Sequence, residues 1–151
     1  MMCSIQRKSN RRHLSVRRAT TQVMGRSTAI PQFTLWRTLV LDTAATVRGG
    51  VSWTTVLARD LVAALEQHPE LNARWDDTTE SLIPFDGMAV GLAVDRPGVG
   101  LVVVTVDLPD DAETADQAIR SAADRARTGK LTPPDLAQAS LTLSNLGGCS
   151  F

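Results

Sequence analysis

Apolar and polar side chains alternate along residues 33–41. Phe33, Leu35, Leu39 and Leu41 share one side, interrupted by Arg37, while Thr34, Trp36, Thr38 and Val40 share the other. A period of two with β-branched and aromatic residues predicts a strand. After Gly49-Gly50 the period lengthens: Leu57, Leu61, Ala64 and Leu65 recur at helical spacing. A helix over about residues 54–67 is expected, capped by Ser52 or Thr54, turning that stripe to the core and ending at Pro69. Two almost continuous apolar runs, 88–94 and 101–106, flank Asp95-Arg96-Pro97-Gly98-Val99-Gly100. They predict an antiparallel hairpin with a loop longer than two residues, in a sheet covered on both faces or meeting a subunit neighbour.

Residues 112–128 return to helical spacing. Ala115, Ala118, Ile119, Ala122 and Ala126 make a narrow stripe of small side chains suited to close approach to a sheet, and Gly129 is the expected stop. Thr132-Pro133-Pro134-Asp135 predicts a short helical restart, with Thr132 as N-cap, Pro133 in the first helical position and Asp135 near the free N–H groups. A last strand is expected over 139–145 before Gly147-Gly148 turns the chain. Upstream, residues 14–26 suit a short helix of mixed face and Pro31 marks a break, while the polar, charged, aperiodic start predicts a disordered leader. Strands and helices mix without a strict βαβ rhythm, so the expected class is α+β with a mixed sheet flanked by helices.

Composition changes this picture little. At 151 residues, 43% hydrophobic and 21% charged, the chain suits one globular domain and neither a disordered nor a fibrous class. No run of about 18 apolar residues predicts a membrane span. Cys3 and Cys149 lie at opposite ends, with no metal-ligand spacing and no disulfide framework, so a reducing cytoplasm is the default compartment. Charge is more informative. The net charge is zero, yet residues 1–41 hold 8 of the 16 Lys and Arg and none of the 16 acids. An Arg- and Ser-rich, acid-free N-terminus is also the pattern of an organelle transit peptide, which points to the mitochondrion as the alternative. The arm over residues 1–26 could contact nucleic acid, but no aromatic side chain is interleaved there to stack bases; the plainer reading is a solvated leader and a basic helix face.

Chemistry-bearing residues are few. His13 lies in the basic arm and His68 at the end of the helix over 54–67, where a cationic ring would suit the helix dipole. Neither has a partner at Ser-His-Asp or metal-ligand spacing. Ser144 ends a predicted strand just before a glycine turn. Its hydroxyl could point into a cleft and stabilise a developing oxyanion, or Ser144 and Asn145 could simply bond nearby backbone in a turn. Gly98-Val99-Gly100 is too short for a phosphate cradle. The acidic run Asp107, Asp110, Asp111 and Glu113 lacks calcium-loop spacing and suits a solvated loop and helix start, so no metal is expected.

Five segments, in order, carry a resemblance. They are Ile30-Pro31-Gln32-Phe33-Thr34; the helix from Val51 through His68-Pro69-Glu70-Leu71-Asn72-Ala73-Arg74-Trp75; the hairpin Val90-Gly91-Leu92-Ala93-Val94-Asp95 to Gly100-Leu101-Val102-Val103; Gly129-Lys130-Leu131-Thr132-Pro133; and Thr142 to Gly147. Together they resemble the catalytic domain of dihydrolipoamide acyltransferases of 2-oxo acid dehydrogenase complexes. The resemblance implies a chloramphenicol acetyltransferase-like fold, incomplete on its C-terminal side, with a basic leader over 1–13 and a partial acyltransferase domain over 14–151. It implies trimers with active sites between subunits, and acyl transfer between coenzyme A and dihydrolipoamide. In that chemistry a histidine takes the thiol proton and a serine hydroxyl holds the tetrahedral intermediate. By its place in Thr-x-Ser-Asn-Leu-Gly, Ser144 matches that serine. The family's His-x-x-x-Asp-Gly has no counterpart, because Arg17 follows His13 and Asn72 follows His68 at the fourth position. The expectation is therefore an acyltransferase-type chain of impaired activity, without a lipoyl domain, or else a non-enzymatic binding or assembly partner of an intact acyltransferase. In either case it forms a homo-oligomer or joins a hetero-oligomer.

Overall fold

In the computed structural model, residues 17–147 are described. The chain divides into two units, Met1–Leu41 and Asp42–Phe151. In the first, residues 17–27 are helical (α1), in line with the expected 14–26 from residue 17 on; residues 14–16 and the expected disordered leader lie outside the described residues. The Gln32 amide then donates to the Ser27 carbonyl (2.9 Å) and accompanies the break at Pro31. The strand expected over 33–41 does not form. The segment is irregular and finds no ladder partner among the described residues, leaving Phe33 85% and Trp36 92% exposed. Alternation marks a chain able to pair, but a strand exists only where another backbone completes its hydrogen bonds.

The second unit opens with α2 (Asp42–Val47) and α3 (Trp53–Gln67). Ser52 caps α3, its hydroxyl oxygen accepting from the Thr55 N–H at 3.2 Å. Of the expected stripe of α3, Leu57, Leu61, Ala64 and Leu65, only Leu57 and Leu65 are even half-buried. The helix buries Thr55 and Ala58 and packs Val62 against the core, while Leu61 and Ala64 face solvent. The helix is rotated because the Thr55 hydroxyl is drawn inward to a buried carboxylate, described below.

A two-stranded antiparallel ribbon, β1 (Ala73–Asp76) and β2 (Ser81–Pro84), follows a 3₁₀ turn at Pro69–Leu71. Sequence patterning gave no sign of it. Its strands are four residues long and mostly exposed, so no face had to be apolar. Asp76 orders the turn by accepting from the Thr78 N–H at 2.8 Å, and that bond lowers its carboxyl below the ordinary value.

The predicted hairpin is β3 (Val90–Arg96) and β4 (Gly100–Val106) in antiparallel register, with Leu92 opposite Val104. Helix α4 (Ala112–Thr128) runs from its Asp111 cap across one face of this pair. Its fully buried Ala115, Ala122 and Ala126 allow the close approach that lets Val90, Leu92, Val94, Val104 and Val106 form the core with Ile119. Among the described residues the other face meets only the segment around Pro134–Leu136, leaving Leu101 72% and Val103 42% exposed, so full cover or a subunit neighbour, the two expected alternatives, is not seen there.

β5 (Leu141–Leu143) is shorter than the expected 139–145 and pairs in parallel with β3, giving the strand order β4-β3-β5. The sheet is thus mixed and the class α+β, as patterning predicts. Among the described residues no helix is long and apolar enough to cross a membrane.

Gly129 ends α4 in the left-handed region (φ 74°), where the Lys130 N–H donates to the Arg125 carbonyl at 2.9 Å. The Arg96 guanidinium beside it is the end of a flexible side chain that can move aside, so the left-handed backbone sets the cost of a side chain here. Gly129→Ala is therefore expected to lower stability by about 1 kcal/mol or more, measured as a lower urea midpoint at unchanged m-value.

Candidate functional site

The site is assembled from the start of α3, the end of β5 and the face of α4 between them. Beside it is Asp116, an acid on the otherwise apolar stripe of α4. Its Oδ1 accepts from the Ser52 N–H (2.9 Å) and the Thr55 hydroxyl (2.6 Å), and its Oδ2 from Arg120 Nε (2.6 Å). Because the one Thr55 hydroxyl proton goes to Asp116, Ser52 is the donor in the 2.9 Å bond between the Ser52 and Thr55 hydroxyls. Burial works against the Asp116 charge. The hydrogen bonds from Thr55, Ser52 and Arg120 outweigh it and hold the carboxyl well below the usual carboxylate range. Asp116 thereby fastens the first turn of α3 to α4.

A cleft of about 450 Å³ is lined by Ser52 and Thr54 at the start of α3, Leu92 and Leu143 from the sheet, Ile119 from α4, and Asn145. Arg120 and Arg127 also line it, with Arg127 paired to Asp124 at 3.2 Å.

Ser144 is the first residue after β5. It is exposed, lies outside the lining of this cleft, and its hydroxyl makes no hydrogen bond among the described residues. Its neighbour supplies the turn. Asn145 Oδ1 accepts from the Gly147 N–H at 2.9 Å, the local Asx bond anticipated from sequence, while Asn145 Nδ2 donates to Thr54 Oγ1 at 2.9 Å.

The strand leading to Ser144 is placed by a second buried acid. Asp135, 3% exposed at its side chain, receives a two-pronged contact from Arg125 together with the Thr132 N–H and hydroxyl, both at 2.8 Å. The Arg125 bonds hold its carboxyl well below the usual range despite burial. This corrects the expected cap. Thr132 does not cap the 3₁₀ turn at Pro134–Leu136; instead the Asp135 carboxylate accepts from Thr132, because the buried anion is the stronger acceptor. Beyond it, the Thr105 hydroxyl holds the Ala137 carbonyl at 2.6 Å and the Ser140 N–H donates to the Ala89 carbonyl, setting β5 beside β3.

The other sequence candidates do not converge here. His68 caps the far end of α3, exposed and 3.4 Å from Glu70. At 1.5 Å per residue, roughly 20 Å of helix separates it from Thr54. His13, Cys3 and Cys149 lie outside the described residues. In the acidic run, Asp111 is the α4 cap, accepting from the Thr114 N–H at 2.8 Å, and the Asp110 carbonyl accepts from Arg59. Among the described residues no group of three or more His, Cys, Asp or Glu could hold a metal ion. Sequence reasoning passed over Asp116; its signal was an acid three residues before Ile119, on the buried face, with Arg120 one turn on. Nothing local marked the Thr54–Asn145 bond.

Residues 6–150 match the family described as 2-oxoacid dehydrogenases acyltransferase (catalytic domain). The chain belongs to this acyltransferase family. It is 33% identical over 104 residues to the dihydrolipoyllysine-residue acetyltransferase component of the pyruvate dehydrogenase complex of Mycobacterium bovis, covering 66% of this chain and 19% of that protein. It thus spans about a fifth of that relative's length. Its fold is similar to a truncated catalytic core of the 2-oxoacid dehydrogenase multienzyme complex from Thermoplasma acidophilum, with a TM-score of 0.67, 31% identity, and coverage of 83% of this chain and 63% of that one. A dihydrolipoamide acetyltransferase of Azotobacter vinelandii, whose structure addresses the roles of a serine, a histidine and an asparagine in its catalytic mechanism, gives a TM-score of 0.57 at 27% identity, covering 69% of this chain and 44% of that one. The fold of this acyltransferase chain is that of the catalytic core, as the resemblance implies.

Proposed function

We propose that this chain carries the serine half of an acyl-transfer site acting between coenzyme A and dihydrolipoamide, and that a second acyltransferase chain supplies the general base. The supporting observation is Ser144, exposed at a strand end, with a hydroxyl that makes no hydrogen bond among the described residues and a turn fixed from both sides. In the reaction, the base takes the proton of a dihydrolipoamide thiol. The thiolate forms a C–S bond to the thioester carbonyl of the acyl donor, and the electron pair moves to oxygen. The Ser144 O–H donates to that oxyanion. Collapse breaks the original C–S bond, and the coenzyme A thiolate leaves and takes up a proton. A hydroxyl is suited to this role because it stabilises charge that exists only in the intermediate. His68, the one described histidine, lies at the wrong end of α3 to be the base. A site shared between subunits accommodates a base from elsewhere.

The test is acyl transfer from acetyl-coenzyme A to dihydrolipoamide. It compares this chain alone with this chain mixed with an intact acyltransferase core whose own active-site serine is replaced by alanine. The expected result is turnover only on mixing, falling about a hundredfold with Ser144→Ala. A folded chain that adds nothing to the serine-less core would overturn the proposal. Turnover by this chain alone would reject the need for a second chain.

A second reading is favoured by the uncovered sheet face at Leu101 and Val103: the chain is a non-enzymatic assembly partner, as a homotrimer or within an intact core. It predicts a mixed complex by size-exclusion chromatography that forms equally with Ser144→Ala and has no Ser144-dependent turnover.

A further inference from the structure

Ser144 sits in an exposed turn after a strand of only three residues. Such a strand end frays unless something holds it. One amide does the holding here. Asn145 uses Oδ1 to close the turn on the Gly147 N–H and Nδ2 to reach Thr54 Oγ1, 91 residues away in sequence. Each end of the amide faces a group of matching polarity, so its orientation is determined. Among the described residues, the Thr54 contact is the side-chain hydrogen bond that ties the turn to another element. Thr54 is in turn anchored, because it lies in the first turn of α3, which Asp116 fastens to α4 through the Ser52 N–H and the Thr55 hydroxyl.

We propose that Thr54 is a positioning residue for Ser144, acting through Asn145. The proposal rests on the acyl-transfer reading above. An oxyanion donor must be held within a few tenths of an ångström, and a misplacement of about 1 Å can cost on the order of a hundredfold in rate. A turn that wanders relative to α3 aims its hydroxyl only part of the time. The Thr54–Asn145 bond removes that freedom, so its loss is expected in kcat and not in KM.

The experiment uses the mixed assay, with Thr54→Val removing the hydroxyl at nearly constant shape and Thr54→Ser restoring it. Thr54→Val is expected to lower kcat about tenfold, the equivalent of one lost hydrogen bond, with KM for both substrates unchanged. Thr54→Ser should stay within about twofold of the parent. In a Ser144→Ala background Thr54→Val should cause no further loss, since the group it positions is gone. A loss that persists without Ser144, appears in KM, or is as large in Thr54→Ser overturns the proposal.

Backbone ¹⁵N order parameters of residues 144–147 in the full chain give a readout apart from turnover. They should fall from roughly 0.85 to below about 0.6 in Thr54→Val and recover in Thr54→Ser. Unchanged order overturns the clamp whatever the assay shows. If the parent mixture is inactive while order still falls in Thr54→Val, the acyl-transfer reading fails and the bond is a structural tie, which also overturns the positioning role.

Discussion

Asp116→Ala is expected to lower stability by about 3–5 kcal/mol, seen as a large fall in the urea midpoint. The carboxylate is buried and accepts from three donors, the Ser52 N–H, the Thr55 hydroxyl and Arg120 Nε. Alanine leaves the first two facing a hole they cannot hydrate easily. Arg120 is 63% exposed at its side chain and can turn to water, so the loss comes mainly from the α3 side. Asp116→Asn should cost less, because an amide oxygen can keep both α3 donors while its NH₂ group opposes Arg120. The ordering Ala, then Asn, then parent is the signature of a satisfied buried anion. A result within about 0.5 kcal/mol of the parent for Asp116→Ala would mean the network contributes nothing to stability.

That substitution also reaches the site. The Asp116 bonds set the first turn of α3, and Thr54 in that turn holds Asn145. Weakening this anchor should therefore loosen the 144–147 turn even where the protein remains folded. Stability and aim are coupled through one short stretch of backbone, 52–55.

Helix α4 was legible because its small apolar side chains share one face, and the hairpin because its two runs are almost continuously apolar. Ala122 and Ala126 of α4 and Val90, Val94, Val104 and Val106 of β3 and β4 are buried together. The Ser144 turn was legible as well, because Asn followed by Gly two residues on closes an Asx bond locally. Three things were hidden, each for a physical reason. The segment 33–41 has strand chemistry, but pairing is a property of two backbones. The ribbon of β1 and β2 is exposed, so no burial had to be written into its residues. The inward face of α3 is set by a polar contact, Thr55 to Asp116, which outweighed the leucine stripe, and hydrophobic periodicity has no term for a buried carboxylate. What joins the site, Thr54 to Asn145, spans most of the chain and leaves no local trace.

Asp135→Ala is expected to cost about 3–4 kcal/mol and to release β5 before the rest of the sheet. Its carboxylate binds the Arg125 fork and both Thr132 donors, so one side chain fixes the crossover between α4 and β5. Arg125→Lys should cost only about 1 kcal/mol, because an ammonium keeps the charge and loses the two-pronged fit. The pH dependence follows from the direction of the shifts. Asp116 and Asp135 both have folded values lowered by their hydrogen bonds. Their stabilisation is therefore fully present above the unfolded carboxylate value of about 3.9 and is lost as pH falls from there toward the folded values. The parent chain should lose stability steeply below about pH 4, and Asp135→Ala should show a shallower acid slope, by about one proton in the linkage plot. An acid slope unchanged in both Asp135→Ala and Asp116→Ala would mean that these carboxylates are not the groups that titrate on acid unfolding. Loss of strand pairing at Leu141–Leu143 in Asp135→Ala, with α4 still protected in hydrogen exchange, would show that the element presenting Ser144 is held in place by a charge at its base.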